Sequence, residues 1–380
     1  MIKRCKTWLH LSWLYVQRVV GEKRRWRGVA RGDFREPKVF YGHGCIPTRH
    51  ERTGGAMIKF QDLNDVFPNT LRGANILYLV SSAMPLFAPV MVREAKRAGA
   101  VFVLNQNGVA YPGWHGPGWE KTNQPMRFLL EQADYVVYQS EFCKLGADRY
   151  LGPCVVPWTI LHNPVDTTVF TPASFSPEGF RILLAGSHQH FYRVQAAIEM
   201  LPYLTERLPD VCLTVAGRCA WHASTEACIA EARGLADIFG VSARVTFFGS
   251  YTQTEAPALF QAHHVLLHTK YNDPCPRLVV EAMACGLPVV YSATGGVLEL
   301  VGNDAGVGVL AKLDWEQDHP PSGNELAKAA LQVSSELGYY SSNARRRAVV
   351  SFDVKPWVEK HKSIFSQLIM RNNGDPARRD

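Results

Sequence analysis

A chain of 380 residues, 47% of them hydrophobic, is long enough for two domains with separate cores and is too ordinary in composition for a fibrous or disordered protein. Its formal charge of +7 comes largely from Lys and Arg gathered near the two ends, so the middle of the chain is only mildly basic, which argues against a nucleic-acid groove. No apolar run is long enough to span a bilayer, and the nine cysteines show neither a CxxC pair nor metal-ligand spacing, so they read as reduced thiols of a cytoplasmic protein.

Residues 1–37 form a basic extension in which an apolar, Trp-rich stretch from Trp8 to Val20 lies between Lys3, Arg4, Lys6 and Lys23, Arg24, Arg25, Arg27. Two readings stand side by side: a helix lying in an anionic membrane surface, or an extension packed on the protein itself. From Lys38 strands and helices alternate. KVFYG (38–42) predicts a strand, and after a long loop Gly54 and Gly55 precede a helix over Ala56–Val66, where small residues let a ligand approach the backbone closely. ILYLV (76–80), AVFVL (100–104) and YVVYQS (135–140) predict further strands, with helices over Phe87–Ala98, Pro125–Gln132 and Glu141–Tyr150. No GxGxxG follows any strand, which argues against a dinucleotide dehydrogenase. The stretch from Asn105 to Trp119 is rich in Gly, Pro and aromatic residues and reads as a loop facing a cleft, where Tyr111, Trp114 and Trp119 offer faces for a sugar ring.

A second α/β series follows a Pro-stiffened linker at 159–172. The strand Ile182–Ala185 runs into Gly186 and a polar loop, with a helix from about Tyr192; strands follow within 211–219, 244–255 and 264–271, and a last one over Gly306–Leu310. After an acidic linker come helices over Glu325–Val349 and a terminal amphipathic helix bearing Trp357, Ile364, Phe365 and Leu368. Between His264 and Val301 lies a strand, a Pro-broken loop, a helix over Arg277–Cys285 ending at Gly286, and a strand over Pro288–Tyr291. Asp273 in the loop and Glu281 in the helix have seven residues between them. The unpaired amides of the first helical turn, near Leu278 and Val279, favour an anion such as a diphosphate, with Glu281 placed for ribose hydroxyls and Asp273 for those of a sugar.

The carboxylate pair, EAMACGLPVV and SATGGVLELV resemble the nucleotide-binding signature of retaining glycosyltransferases of family 4. Asp273 departs from the Glu of that signature. The resemblance implies the GT-B fold: two Rossmann-like domains facing each other across a cleft, the first over 38–165 with a returning helix at 354–371, the second over 175–350. It implies donor contacts from Gly186, Arg193, Lys270, Leu278, Val279 and Glu281, with Arg193 and Val194 standing where family members have Lys and Gly. His188 or His190 falls near a family Arg. Gly54, Gly55, Trp114 and His115 fall on the acceptor side, and Asn107 stands where family members have a His near the donor sugar.

The implied activity is transfer of a hexose, with retention, from a nucleoside diphosphate sugar to a hydroxyl of a sugar or lipid-linked sugar, in surface polysaccharide or glycolipid synthesis. Asp273, Arg193 and Asn107 are its catalytic candidates, and no metal or cofactor is expected beside the donor. The expected location is cytoplasmic, with peripheral contact to the inner face of the membrane. The alternative is a non-catalytic GT-B subunit that binds nucleotide sugar without turnover.

Overall fold

The computed structural model describes residues 2–27, 36–174 and 178–374. The two series of apolar strands build two separate, all-parallel sheets. Strands β1 (Val39–Phe40), β2 (Ile76–Val80), β3 (Val101–Gln106), β4 (Tyr135–Tyr138) and β5 (Trp158–Ile160) lie side by side in chain order. Strands β6 (Phe180–Ala185), β7 (Val211–Ala216), β8 (Val245–Gly249), β9 (Val265–His268), β10 (Val289–Ala293) and β11 (Gly306–Leu310) assemble as β11-β10-β9-β6-β7-β8. Every residue of β2, β3, β9 and β10 is buried, as continuous apolar runs require when helices cover both faces of a parallel sheet. Each sheet accordingly has one hydrophobic cluster on each face.

The order of the second sheet contains one reversal. The chain builds outward from β6 through β7 to β8, then returns to place β9 on the other side of β6. Loops leaving the carboxyl ends of β6 and β9 therefore diverge and open a crevice between them, the place where open α/β sheets hold ligands.

Two local readings change in the folded chain. Thr159 and Ile160, expected to begin the linker, belong to the edge strand β5, which pairs Trp158 with Val136 and Ile160 with Tyr138. The helix expected from Pro125 begins at Trp119 and carries Pro125 inside it, because the Asn123 side chain ties its early turns to the backbone of Ala110 at 2.9 and 2.8 Å. The helices expected over Glu325–Val349 are Gly323–Ser335 and Leu337–Phe352, and Ser322 and Glu325 close a capping box on the first.

The first 25 residues contain the helix Ile2–Arg25, whose carboxyl end is fastened to the first sheet's side of the molecule. Glu22 is buried beneath Arg18 and Arg25 at 3.3 and 3.5 Å and accepts a hydrogen bond from Trp26 Nε1 at 3.0 Å, while Trp26 packs edge-on against Phe40. Trp13, Val16 and Val20, spaced along one side of this helix, remain exposed.

The chain passes between the sheets twice, and the two passages touch: Val165 N–H donates to Phe352 O at 2.8 Å and Val354 N–H to Val165 O at 3.0 Å. The helix Val354–Gly374 then lies on the first sheet, where Trp357, Ile364, Phe365 and Leu368 join Phe60, Phe67 and Tyr78 in one core. His361 is wholly buried there, with Nδ1–H donating to Trp357 O at 3.0 Å and Nε2 accepting from Tyr78 Oη at 3.0 Å. Burial lowers its pKa from 6.5 to about 4.

This has a consequence for acid stability. Below 6.5 the unfolded chain binds the proton that folded His361 refuses until about 4, so stability is lost as pH falls through that window, on the order of 3 kcal/mol from this group. His361→Phe is expected to flatten the fall in melting temperature between pH 6.5 and 4; an unchanged slope would remove His361 as its cause.

Candidate functional site

The crevice at the sheet reversal collects the residues that the sequence singles out. Gly186 ends β6 with φ +114, a left-handed conformation that side chains resist. A Cβ there would stand 3.0 Å from Leu278 Cδ2 and 4.0 Å from Arg193 Nη2, so Gly186, the Arg193 guanidinium and the start of the helix Arg277–Ala284 share one spot. Arg193 is 4% exposed; Nη1 donates to Ser187 O, whereas Nε has no hydrogen-bond partner. Burial lowers its pKa, and the nearby Asp273 opposes that shift. A buried guanidinium with an unused donor is an incomplete anion site.

Asp273 follows β9. Its Oδ2 lies 3.2 Å from Lys270 Nζ and 3.4 Å from His268 Nε2. Burial alone would raise the carboxyl's pKa, but Lys270, His268 and Arg193 outweigh it and hold the group ionised well below the usual carboxylate range. Val279 packs in the core under the helix. His188, weighed as a diphosphate ligand, is a core group: its Nε2–H donates to Ala216 O at 3.1 Å, and burial lowers its pKa to about 3, so it is neutral.

Glu281 occupies a different position from an open ribose ligand. It is buried, and its Oε1 accepts from Arg277 Nε at 2.9 Å and Gln253 Nε2 at 2.8 Å. Arg277 Nη1 reaches Asp62 Oδ2 of the other domain at 2.6 Å, and Asp62 Oδ1 also takes Arg49 Nη1 at 3.2 Å. The carboxylate read from spacing alone therefore also anchors an arginine that locks the two domains together.

Facing this crevice, the first domain contributes a cavity of about 580 Å³ bounded by Gly55, Lys59, Asn107, Trp114 and, from the second domain, Lys270, Asp273 and Arg277. Gly54 caps the helix Gly55–Asn64 at its rim. Trp114 presents part of its ring to the cavity beside Tyr111. His115 is turned toward Thr122 Oγ1 at 2.8 Å and is not among the residues bounding the cavity. Asn107 is held from both ends: Oδ1 accepts from Lys59 Nζ at 3.0 Å and Nδ2 donates to Ser82 Oγ.

The acidic linker after β11 closes one end of the cleft. Trp315 leaves the second domain and inserts into the core of the first, stacked on Phe142 at 4.9 Å and edge-on to Tyr111 at 4.9 Å. Gly113 N–H donates to Trp315 O at 2.8 Å, and a Cβ at Gly113 would come within 2.9 Å of Gln317 N, so only glycine permits that approach. The base of this strap is tied to the Asp273 loop, with Asn272 Nδ2 donating to Asp314 O at 2.8 Å and Asp314 N–H to Tyr271 Oη at 2.9 Å.

Comparison with known proteins shows what this part of the chain is similar to. Residues 170–318 match the model of glycosyl transferases group 1. Through this stretch, less than half of its length, the chain is similar to glycosyl transferases group 1. The chain is 25% identical over 218 residues to D-inositol 3-phosphate glycosyltransferase of Arthrobacter sp. (strain FB24), covering 52% of this chain and 51% of that protein. It is 30% identical over 152 residues to D-inositol 3-phosphate glycosyltransferase of Mycobacterium tuberculosis (strain F11), covering 38% and 29%. The chain thus spans about half the length of these relatives or less.

Solved structures extend the likeness to the whole fold. The HepE protein of Anabaena bound to UDP and glucose matches with TM-score 0.63 at 19% identity over 82% of this chain and 81% of that one. Sucrose-phosphate synthase of Thermosynechococcus elongatus matches with TM-score 0.63 at 18% identity over 82% and 77%. The chain has the GT-B fold.

Three residues of this site escape a linear reading. Lys59 leaves one signal, a charge on the core-facing stripe of its helix, between Ala56 and Leu63. Arg277 opens the helix of the signature but pairs with a residue from the other domain, which no local pattern announces. Trp315 is an isolated aromatic in a polar segment, and its partners are more than a hundred residues away in the chain.

Proposed function

We propose that the protein transfers a hexose, with retention of anomeric configuration, from a nucleoside diphosphate sugar to a hydroxyl of a second sugar or lipid-linked sugar, as in surface polysaccharide or glycolipid synthesis. The observation that carries this reading is the buried Arg193 guanidinium, one donor unused, beside Gly186 and the first turn of the helix Arg277–Ala284. A diphosphate placed there meets the cation and the amides near Leu278, which stabilise the charge that appears as the sugar departs.

In this reaction the bond from the sugar's anomeric carbon to the diphosphate oxygen breaks, and a bond to the acceptor oxygen forms on the same face. The acceptor proton passes to the departing phosphate, so no protein base is required. Asp273, kept ionised by Lys270 and His268, accepts hydrogen bonds from the sugar's hydroxyls, as does Asn107 from across the cavity. Among the described residues both hydrogen bonds to the Glu281 carboxylate fall on Oε1, which leaves Oε2 for the ribose. The exposed Trp13, Val16 and Val20 on the basic N-terminal helix support contact with an anionic membrane, where a lipid-linked acceptor would lie.

A thermal-shift comparison of uridine, guanosine and adenosine diphosphates tests the donor site, since a ligand of the native state raises the melting temperature by mass action. UDP is the first choice because HepE binds it. A shift of several degrees, reduced in Arg193→Met, is the expected result. A shift without sugar release from the matching nucleotide sugar would instead assign a nucleotide-binding subunit that does not turn over. Co-sedimentation with anionic vesicles, lost when residues 2–25 are removed, checks the membrane arm.

A further inference from the structure

The strongest unassigned feature of the cleft is Lys59. Its ammonium is buried, with the residue 1% exposed, yet it bounds the cavity between the domains. Among the described residues it makes no ion pair. Its hydrogen-bond partners are two amide oxygens, Asn105 Oδ1 at 3.1 Å and Asn107 Oδ1 at 3.0 Å. The other charges at this end are already matched: Arg277 holds Asp62 at 2.6 Å and Glu281 at 2.9 Å, and Lys270 holds Asp273 at 3.2 Å.

The neighbours of Lys59 are arranged for a cation. Because Trp357 O can only accept, His361 carries its proton on Nδ1, and Tyr78 must donate to His361 Nε2. Asn105 Nδ2 then donates to Tyr78 Oη at 3.0 Å, which turns Asn105 Oδ1 toward the ammonium. On the other side Asn107 donates to Ser82 and also turns its Oδ1 to Lys59; Ser82 bounds the cavity and keeps its own hydroxyl hydrogen to offer. Dipoles solvate this charge without neutralising it. A buried cation without a counterion is costly, and the site lacks one anion.

Resting on the glycosyl-transfer reading, we propose that Lys59, with Ser82 beside it, recognises a phosphate group carried by the acceptor, so that the protein glycosylates a phosphorylated sugar or polyol rather than a neutral one. The third N–H of the ammonium and the Ser82 hydroxyl supply the donors for phosphate oxygens, while the reacting hydroxyl lies deeper in the same cavity toward Asp273. Lys59 is a specificity-determining residue here, and the diphosphate of the donor belongs to Arg193 of the second domain.

Sulfate is the probe for the test, because its charge does not change between pH 6 and 9 whereas burial lowers the Lys59 pKa from 10.5 to about 7. Sulfate is titrated by thermal shift at constant ionic strength, with and without saturating UDP, on the unmodified protein and on Lys59→Met. The expected result is a sulfate midpoint that persists with UDP present and rises about tenfold per pH unit above the ammonium's pKa. Lys59→Met should lose that pH dependence, raise the midpoint at least tenfold, and melt no lower than the unmodified protein without sulfate. A pH-independent sulfate response, or one equal in Lys59→Met, overturns the proposal; the pH series on the unmodified protein decides it even if the variant does not fold. Absence of a UDP shift would count against the donor site instead, and the titration without UDP would still be read.

Discussion

Arg193→Met is expected to lower sugar transfer by about 10²–10³-fold at saturating donor, the usual cost of removing one preorganised donor aimed at developing charge. The methionine fills similar space without the guanidinium. It removes a desolvated cation and leaves Ser187 O without its bond, two changes that oppose each other, so the melting temperature should shift by only a few degrees. Arg193→Lys restores a charge but not a fork matched to two phosphate oxygens, and should recover only part of the loss. Asp273 offers an independent readout. Arg193 is one of the groups holding its carboxyl ionised, so the variant's acid limb should move to higher pH. Turnover within several-fold of the unmodified protein would show that the departing diphosphate is stabilised elsewhere.

The second large effect is expected at a residue that touches no substrate. Trp315→Ala should lower stability by about 3–5 kcal/mol, because the indole fills a pocket among Tyr111, Phe142 and Tyr150 that the rest of the first domain cannot collapse into. The same indole is the far end of a strap rooted on the Asp273 loop through Asn272 and Asp314. Its loss should therefore also loosen one end of the cleft, seen as a larger radius of gyration by small-angle scattering and a raised KM for the acceptor. Trp315→Phe keeps an aromatic ring on Phe142 and should retain much of both. A variant that loses stability while keeping its compactness and KM would reduce Trp315 to core packing.

The two halves of the site differ in how far they could be read in advance. Gly186, Arg193, Asp273 and Leu278 were legible because the loops that carry them lie at the ends of strongly apolar strands, and sheet topology then brings those ends together. Glu281 was placed on the right helix, yet its bonds to Arg277 and Gln253 depend on a side chain 28 positions away and on the closure of the domains. His115 looked like a cleft residue beside Trp114, but a helical turn over Pro112–His115 directs it to Thr122. Lys59 was hidden because its one signal, a place on the stripe from Ala56 to Leu63, does not separate a lysine that snorkels to solvent from one whose ammonium stays buried.

By itself, the sequence determined the existence of two α/β units, their strands, and the loop and helix of the nucleotide-binding signature. These are local consequences of apolar runs, turn residues and helix ends, which act over a few residues. Only the tertiary structure decided which charges meet. The Asp62–Arg277 lock, the Trp315 strap, the return of His361 beneath Tyr78 and the unmatched ammonium of Lys59 all join positions far apart in the chain. Their energies depend on burial and distance, and both quantities come into being when the two sheets face each other.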